Sequence, residues 1–267
     1  MRHVVFNLGF YLMTLLLAVV TVPVSLVAGD GTVRGLFALW ARGTVWLVRH
    51  VLGARVEIRG REHIVERPAL LVSKHQSELD VALMGTVFPD YGAIAMRELD
   101  DYPLVGGIVR KLGHIKVTVE GERKNQLPQV LEGARRVHSE GRPILIYPEG
   151  TLMHPGRKSR YRGGVWHLYD ALQVPATPVA LSLGLAWPRR EWKKYPTPVA
   201  LEFLEPIPPG LPKQEFMALL EERIETATNA LIREQAPPAR LEEMVFEYEE
   251  QGGGWSSPKQ VHGENGP

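Results

Sequence analysis

Seven short apolar runs alternate with helix-like stretches after Gly53, and this alternation constrains the fold more than any other feature of the chain. The runs are "RVEIRG", "PALLVS", "GAIAM", "HIKVTV", "RPILIYP", "TPVALSL" and "PVALEFL", which are rich in β-branched residues and bounded by Gly or Pro. Helical patterns lie between several of them, near residues 80–88, 103–112, 126–139 and 163–172. Such alternation predicts an α/β domain with a largely parallel sheet flanked by helices, in which ligands bind beyond the carboxyl ends of the strands.

The N-terminal residues 4–29 contain no charged side chain. At 1.5 Å per helical residue this run is long enough to reach across the ~30 Å hydrocarbon core of a bilayer. We therefore predict a membrane-associated helical segment, which either spans the membrane or lies in it. The competing interpretation is a cleaved signal peptide, because Arg2 and His3 precede the run and "SLVAGD" places small residues near its end.

The next segment, "VRGLFALWARGTVWLVRHVLG", predicts a basic amphipathic helix. Arg34, Arg42 and Arg49 fall within an arc of roughly 80° on a helix, while Phe37 and Trp40 lie on the other side. The arginines of such a helix face anionic headgroups, and its tryptophans lie at the interface. The alternative is a helix packed on the main domain with a solvated basic face. Positive charge after the apolar run predicts an inner, cytoplasmic membrane location with the main domain facing the cytoplasm.

The 267 residues suit one full-sized domain with appendages. "PIPPG" ends the strand pattern, and Phe216, Leu220 and Ile224 then recur at the spacing of a closing amphipathic helix. The last part of the chain, with "QAPPAR" and "EYEEQGGGW", has the composition of a flexible segment. We therefore divide the chain into N-terminal membrane-associated helices (1–53), an α/β domain (54–233) and a flexible C-terminal tail (234–267).

Composition and motif content exclude several classes of function. The formal net charge of +1 does not indicate a nucleic-acid partner. Because there is no cysteine, the chain has no disulfide, no thiolate metal site and no Cys nucleophile. The histidines lack the spacing with carboxylates that binds a metal, and no Gly-rich loop matches a nucleotide-binding motif. We expect neither a metal nor a cofactor.

The stretch "SKHQSELDVALMG" ends a predicted buried strand in a group of polar residues, which are costly to bury unless they contact water or one another. His75 falls on the loop that leaves the strand, and Asp80 falls in the first turn of the next helix. Side chains five apart on a regular helix point about 140° apart, so these two meet only across a bend. A carboxylate that holds one imidazole nitrogen leaves the other free to accept a proton, as a general base must. The alternative is that both side chains only satisfy backbone groups at the turn.

A second stretch, "ILIYPEGTLMHPGRKSRYRGG", also ends an apolar run in a polar turn, formed by Glu149, Gly150 and Thr151. The basic residues that follow are Arg157, Lys158, Arg160 and Arg162. Because the carboxyl ends of parallel strands lie at the same edge of a sheet, the two polar turns are predicted to face one crevice.

"HQSELD" and "YPEGT", in this order and spacing, resemble two motifs of the glycerolipid acyltransferase family, whose best-known members are 1-acylglycerol-3-phosphate acyltransferases. The resemblance extends over residues 55–205 and includes a weaker match at Val174-Pro175. It implies that His75 is the general base for the acceptor hydroxyl and that Asp80 orients it. It also implies that the segment 149–151 contributes to acceptor binding.

The resemblance further implies a membrane-bound O-acyltransferase. Its donor would be acyl-CoA or acyl carrier protein, and its acceptor the free hydroxyl of a lysolipid. The first candidate acceptor is 1-acylglycerol-3-phosphate, which would give phosphatidic acid for phospholipid synthesis.

Two departures from the family pattern affect the acceptor headgroup. The family usually has Arg at the end of its second motif and in its third motif, where this chain has Val119 and Leu152. Arginine forks bind phosphate well, so their loss weakens the case for a phosphomonoester acceptor. Arg97, Lys116 and Arg157 are candidate substitutes, and the alternative for each is an ordinary surface charge.

Two other functions therefore stay open. The missing arginines motivate the same chemistry on a lysolipid without a phosphomonoester, such as a lyso-amino-acid lipid. The interpretation from another class is a non-catalytic membrane protein that binds lipid or acts as a scaffold, with purely structural polar turns.

Overall fold

The computed structural model describes residues 1–64, 70–101, 106–118 and 126–248. The helices are α1 (Arg2–Val27), α2 (Asp30–Leu47), α3 (Glu78–Val87), α4 (Gly106–Lys111), α5 (Leu127–Ser139), α6 (Gly164–Leu172), α7 (Lys213–Gln235) and α8 (Pro238–Glu242). The strands are β1 (Val56–Arg59), β2 (Leu70–Ser73), β3 (Gly92–Met96), β4 (Ile115–Val117), β5 (Ile144–Ile146), β6 (Arg157–Lys158), β7 (Ala176–Leu181), β8 (Val199–Phe203) and β9 (Glu247–Tyr248). A π-helical turn, Val48–Leu52, extends α2.

Each of the seven apolar runs contributes one strand to a seven-stranded sheet with the order β1-β8-β7-β2-β5-β3-β4. Every neighbouring pair is parallel except β7 and β8, so β1 and β8 run opposite to the other five strands. Strand β2 lies between β7 and β5, with Leu71 opposite both Thr177 and Leu145. The predicted α/β fold with a largely parallel sheet is confirmed, and the carboxyl ends of β2 and β5 are adjacent.

The central strands are buried on both faces, which explains why their sequences are almost continuously apolar. On one face, Leu71 and Leu145 belong to a core that also contains residues of α1, α2 and α3. On the other face, Leu70, Val72 and Ile144 belong to a second core, which contains residues of α5, α6 and α7. The domain therefore has three layers, with the sheet in the middle.

The predicted basic helix, α2, packs on the α/β domain. Helices α2 and α3 are in close contact, because a Cβ atom at Gly85 of α3 would lie only 3.0 Å from the ring of Phe37 in α2. Arg34 forms an ion pair with Asp90 at 3.0 Å. Arg49 donates to a backbone carbonyl, that of Val56, at 3.1 Å. Two of the three arginines are thus bonded within the protein, while the third, Arg42 in the middle of α2, is exposed.

Helix α1 packs against protein along one side and exposes an apolar surface along the other. Phe6, Asn7, Thr21 and Ser25 are buried, which places protein contacts near both ends of the helix. The exposed large apolar residues of α1 are Val4, Val5, Leu8, Tyr11, Leu12, Leu15, Leu16, Val19, Val20, Leu26 and Val27. Within the described ranges, α1 is the one helix long and apolar enough to cross a membrane.

The C-terminal region differs from the prediction of a flexible tail that begins at residue 234. Helix α7 continues to Gln235, α8 follows it, and β9 pairs in parallel with β6. Arg240 of α8 donates to the carbonyl of Leu185 at 2.8 Å. The first part of the predicted tail is therefore docked on the domain, because it has its own hydrogen bonds; residues 249–267 lie outside the described residues.

Candidate active site

His75 and Asp80 are in contact on the loop between β2 and α3. The Nδ1 atom of His75 lies 2.9 Å from Oδ2 of Asp80. The chain bends between them as the spacing requires, because α3 begins only at Glu78. The aspartate side chain is 1% exposed and the histidine side chain 18% exposed, so the pair is shielded on the carboxylate side and open on the imidazole side.

The aspartate is held by the first turn of α3. Ser77 is the N-cap residue, and its hydroxyl accepts from the backbone N–H of Leu79 at 3.1 Å. In return, Oδ2 of Asp80 accepts from the backbone N–H groups of Gln76 at 2.7 Å and Ser77 at 3.0 Å. This reciprocal arrangement is a capping box. It fixes the position of the carboxylate that contacts the histidine.

The carboxylate also sets the tautomer of His75. An ionised carboxylate accepts hydrogen bonds only, so Nδ1 of His75 must carry the hydrogen that it donates to Asp80. The other ring nitrogen, Nε2, then has a free lone pair in the neutral imidazole. This nitrogen is the one that can accept a proton from a ligand.

Two further contacts fix the His75 ring and main chain. The ring of Tyr147, at the end of β5, stacks on the imidazole with centroids 3.8 Å apart and an interplanar angle of 14°. The backbone N–H of Met153 donates to the carbonyl of His75 at 2.7 Å. Both contacts come from the second polar turn, so the structure brings the two predicted polar turns together.

Glu149 lies beneath this surface and does not line an open pocket, in contrast to the acceptor-binding position expected for it. Its side chain is 0% exposed, and its Oε1 accepts from Nζ of Lys74 at 2.6 Å. Its Oε2 accepts from the backbone N–H of His75 at 3.4 Å. The other two residues of the motif are at the surface, Gly150 exposed and Thr151 half-buried.

Burial raises the pKa of Glu149 to about 7. The ammonium of Lys74 opposes this rise, and the carboxylate of Glu225 adds to it. Glu225 lies on α7, where it accepts from Lys74 through Oε1 at 2.7 Å. One cation thus lies between two carboxylates in a site with almost no access to water.

Gly150 is required by the geometry of the second turn. Its φ angle is +67°, in the left-handed region that favours glycine. A Cβ at this position would lie 2.6 Å from the guanidinium carbon of Arg162. Any side chain at position 150 would therefore displace Arg162 from its place over the turn.

The three basic residues proposed as acceptor ligands occupy different environments. Arg97 is exposed and directly follows β3. Lys116 is tied by an ion pair at 2.7 Å to Asp100, and its strand, β4, is the third from β2, about 14 Å away at ~4.8 Å per strand. Arg157 begins β6, and its carbonyl accepts from Lys74 at 2.9 Å. The position of Val119 lies outside the described residues.

Three residues of the site were not identified from the sequence as functional. Lys74 and Glu225 form the buried ion pairs, and Arg189 donates to the carbonyl of Leu152 at 2.6 Å. Arg189 thus brings a guanidinium next to the position where the family's third motif has its own arginine. The available signals were a lysine adjacent to His75 and a glutamate within the apolar pattern of α7; no comparable signal exists for Arg189.

A model of the acyltransferase family matches residues 55–182, which include β2, β5 and both polar turns. With the parallel sheet and the His75–Asp80 pair, this match defines the class of the domain: residues 55–182 form an acyltransferase-family domain.

Within that family the chain is similar to proteins named 1-acyl-sn-glycerol-3-phosphate acyltransferase. It is 32% identical to the one from Pseudomonas aeruginosa over 157 residues, which cover 59% of this chain and 61% of that protein. It is 28% identical to the alpha form from Ovis aries over 240 residues, covering 88% and 82% of the two chains. The match to the Pseudomonas aeruginosa and Limnanthes alba proteins spans only 61% and 57% of their length.

The fold also matches a crystal structure, that of the 1-acyl-sn-glycerophosphate (LPA) acyltransferase from Thermotoga maritima. The TM-score is 0.65 at 20% sequence identity, and the match covers 86% of this chain and 98% of the other. At this identity the likeness concerns the fold alone.

Proposed function

We propose that this protein transfers a fatty acyl group from a thioester to the free hydroxyl of a lysolipid. The observation that carries the proposal is the hydrogen bond of 2.9 Å between His75 Nδ1 and the buried Asp80, which leaves the lone pair of Nε2 available on a side chain that is 18% exposed. A non-catalytic turn would have no need of an imidazole oriented in this way.

In the proposed reaction, Nε2 of His75 takes the proton from the acceptor hydroxyl. The hydroxyl oxygen attacks the thioester carbonyl carbon and forms the new C–O bond. The tetrahedral intermediate then collapses, the C–S bond breaks, and the imidazolium returns the proton to the departing thiolate. Asp80 stabilises the imidazolium while it exists, because a buried carboxylate at 2.9 Å favours the positive ring.

We propose 1-acylglycerol-3-phosphate as the acceptor, acyl-CoA or acyl carrier protein as the donor, and phosphatidic acid for phospholipid synthesis as the product. The names of the relatives support the acceptor. Arg97 and Arg157 are proposed ligands of the phosphate, and Gly150 and Thr151 are proposed to border the acceptor pocket. Lys116 is a weaker candidate, because Asp100 neutralises it at 2.7 Å.

A second acceptor is favoured by one observation. Leu152 has no charge where the family pattern has arginine, so a lysolipid without a phosphomonoester, such as a lyso-amino-acid lipid, needs to be compared directly. A panel of lysolipids assayed with one donor distinguishes the two acceptors by their kcat/KM values.

We propose that α1 attaches the protein to the cytoplasmic side of the inner membrane, where both lipid substrate and product reside. The apolar exposed side of α1 supports this location, as does a stacked aromatic pair beside it, Tyr11 and Trp192, each 58% exposed. Because the opposite side of α1 packs on protein near both ends, we propose that the helix lies in the interface instead of crossing the bilayer.

The experiment is an assay of purified protein in detergent micelles with lysophosphatidic acid and either donor. The wild type should form phosphatidic acid, and His75→Ala should lose at least the ~10²-fold that a general base contributes. The matched control is His154→Ala, since His154 is exposed and lies in the same region. Full activity in His75→Ala would refute the mechanism, and tight lipid binding without turnover of any thioester would favour a non-catalytic protein.

A further inference from the structure

A buried group of charges lies directly behind His75, and none of its members contacts the proposed reacting atoms. The ammonium of Lys74 donates to Oε1 of Glu149 at 2.6 Å, to Oε1 of Glu225 at 2.7 Å and to the carbonyl of Arg157 at 2.9 Å. These three bonds use all three hydrogens of the ammonium. The hydroxyl of Tyr161 adds a bond of 2.9 Å to Glu225.

Buried charged groups of this kind contribute little net stability to a folded protein. Removing two or more charges from water costs several kcal/mol per ion, and apolar side chains of similar volume often replace buried ion pairs without loss. Here the lysine and Glu149 are 0% exposed and Glu225 is 11% exposed. The excess of one carboxylate over one ammonium adds to the cost, consistent with the raised pKa of Glu149, whose first cause is burial. A role other than stability is therefore needed.

The group is connected to the main chain of His75. Lys74 is its neighbour in sequence, and Oε2 of Glu149 accepts from the His75 N–H at 3.4 Å. Glu149 is held through its other oxygen by Lys74, and Lys74 is held in turn by Glu225. The chain of contacts from α7 to His75 is thus Glu225, Lys74, Glu149 and the His75 amide.

Glu225 differs from Lys74 and Glu149 in its position along the chain, because it lies outside residues 55–182, which match the family model. It also lies on the buried side of α7, where its neighbours Ile224 and Thr228 are buried as well. A charged residue at such a position needs a partner, and Lys74 and Tyr161 are the partners it has.

We propose that Glu225 is a positioning residue for His75: through Lys74 and Glu149 it holds the main chain that presents the imidazole to the acceptor. The proposal rests on the function proposed above, with His75 as the general base. Because Glu225 is only 11% exposed and is bonded to Lys74 and Tyr161, its loss should slow the chemical step and change substrate affinity little.

The test is Glu225→Gln, which keeps the shape and removes the charge. The matched control is Glu221→Gln, one turn earlier on α7, whose carboxylate pairs with Lys158 at 2.9 Å near the surface. We expect kcat to fall roughly tenfold in Glu225→Gln, because small misplacements of a catalytic group are costly, with both KM values within about twofold of the wild type. We expect no change of kcat in the control.

A second measurement does not depend on activity. Amide hydrogen exchange in the segment 73–80, followed by mass spectrometry, should be faster in Glu225→Gln than in the wild type and unchanged in Glu221→Gln. If the wild type transfers no acyl group, the proposed function fails, and this exchange measurement still decides whether Glu225 holds the His75 main chain.

Several results would overturn the inference. A folded Glu225→Gln variant with wild-type kcat would do so, and so would a raised KM at unchanged kcat, since that result would make Glu225 a binding residue. If Glu225→Gln does not fold, Tyr161→Phe decides, because it removes only the hydroxyl that donates to Glu225. We expect kcat to fall roughly threefold in Tyr161→Phe, as for the loss of one hydrogen bond, and an unchanged kcat would contradict the proposal.

Discussion

Replacing Glu149 by Gln should change how the stability of the protein depends on pH. The pKa of Glu149 is raised by burial from 4.5 to about 7, so the folded protein binds this proton more tightly than the unfolded chain does. The corresponding stabilisation is fully present below pH 4.5 and is lost as the pH rises to about 7. Because each tenfold change in proton affinity is worth about 1.4 kcal/mol, the loss amounts to about 3 kcal/mol.

Glutamine at position 149 resembles the protonated carboxyl and has no proton to lose. The free energy of unfolding of Glu149→Gln, minus that of the wild type, should therefore rise by up to about 3 kcal/mol between pH 4.5 and pH 7. The measurement is urea unfolding in a non-ionic detergent, followed by tryptophan fluorescence at constant ionic strength. Contributions from all other titrating groups that the substitution leaves unchanged cancel in this difference.

Glu221→Gln serves as control, because its carboxylate is partly exposed in an ion pair with Lys158. Its stability difference from the wild type should vary little with pH over the same range. A flat or falling difference for Glu149→Gln would refute the reasoning, since it would mean that the buried carboxyl does not retain its proton in the folded state.

Three further outcomes are expected. Burial lowers the pKa of His114 to about 4, so the stability that this residue contributes rises between about pH 4 and 6.5. The free energy of urea unfolding of the wild type minus that of His114→Asn should therefore rise over this range, and a constant difference would contradict the reasoning. Gly150→Ala should lose roughly 1–3 kcal/mol in thermal unfolding, because alanine must adopt a left-handed φ and displace Arg162; a Tm equal to that of the wild type would count against this reading. The chain has no cysteine, so an environment-sensitive fluorophore on Leu16→Cys reports on α1 alone. Its emission should shift to the blue on phosphatidylglycerol vesicles, while the emission of the same label on Thr226→Cys of α7 should not shift. Equal responses of the two labels would disprove interfacial insertion of α1.

The strands and the contact between His75 and Asp80 are the features that the sequence predicts best. The run that contains Leu70 and Val72 is apolar up to Ser73 because the strand is buried on both faces, and this pattern needs no knowledge of distant residues. The contact between His75 and Asp80 is equally local, because one helix cap creates it. In both cases the controlling interactions lie within a few residues of one another.

Features that depend on distant segments were not predictable in the same way. Glu149 belongs to a polar turn and was therefore expected to face a pocket, but its surroundings are set by Lys74, which precedes it by 75 residues. Glu225 is separated from Lys74 by 151 residues, and only the packing of α7 on the sheet brings them together. The docking of α8 and β9 has the same cause, since Arg240 bonds to a carbonyl 55 residues earlier.

The capping box at the start of α3 has a consequence for how the contact between His75 and Asp80 forms. One oxygen of Asp80 accepts from two backbone amides of the turn and from the imidazole, so winding the first turn of the helix and orienting the ring are one physical event. A partly unfolded chain that retains this turn would already hold its imidazole in the productive tautomer. Loss of the proposed acyl transfer on heating should then follow the melting of a single helical turn, ahead of the unfolding of the sheet beneath it.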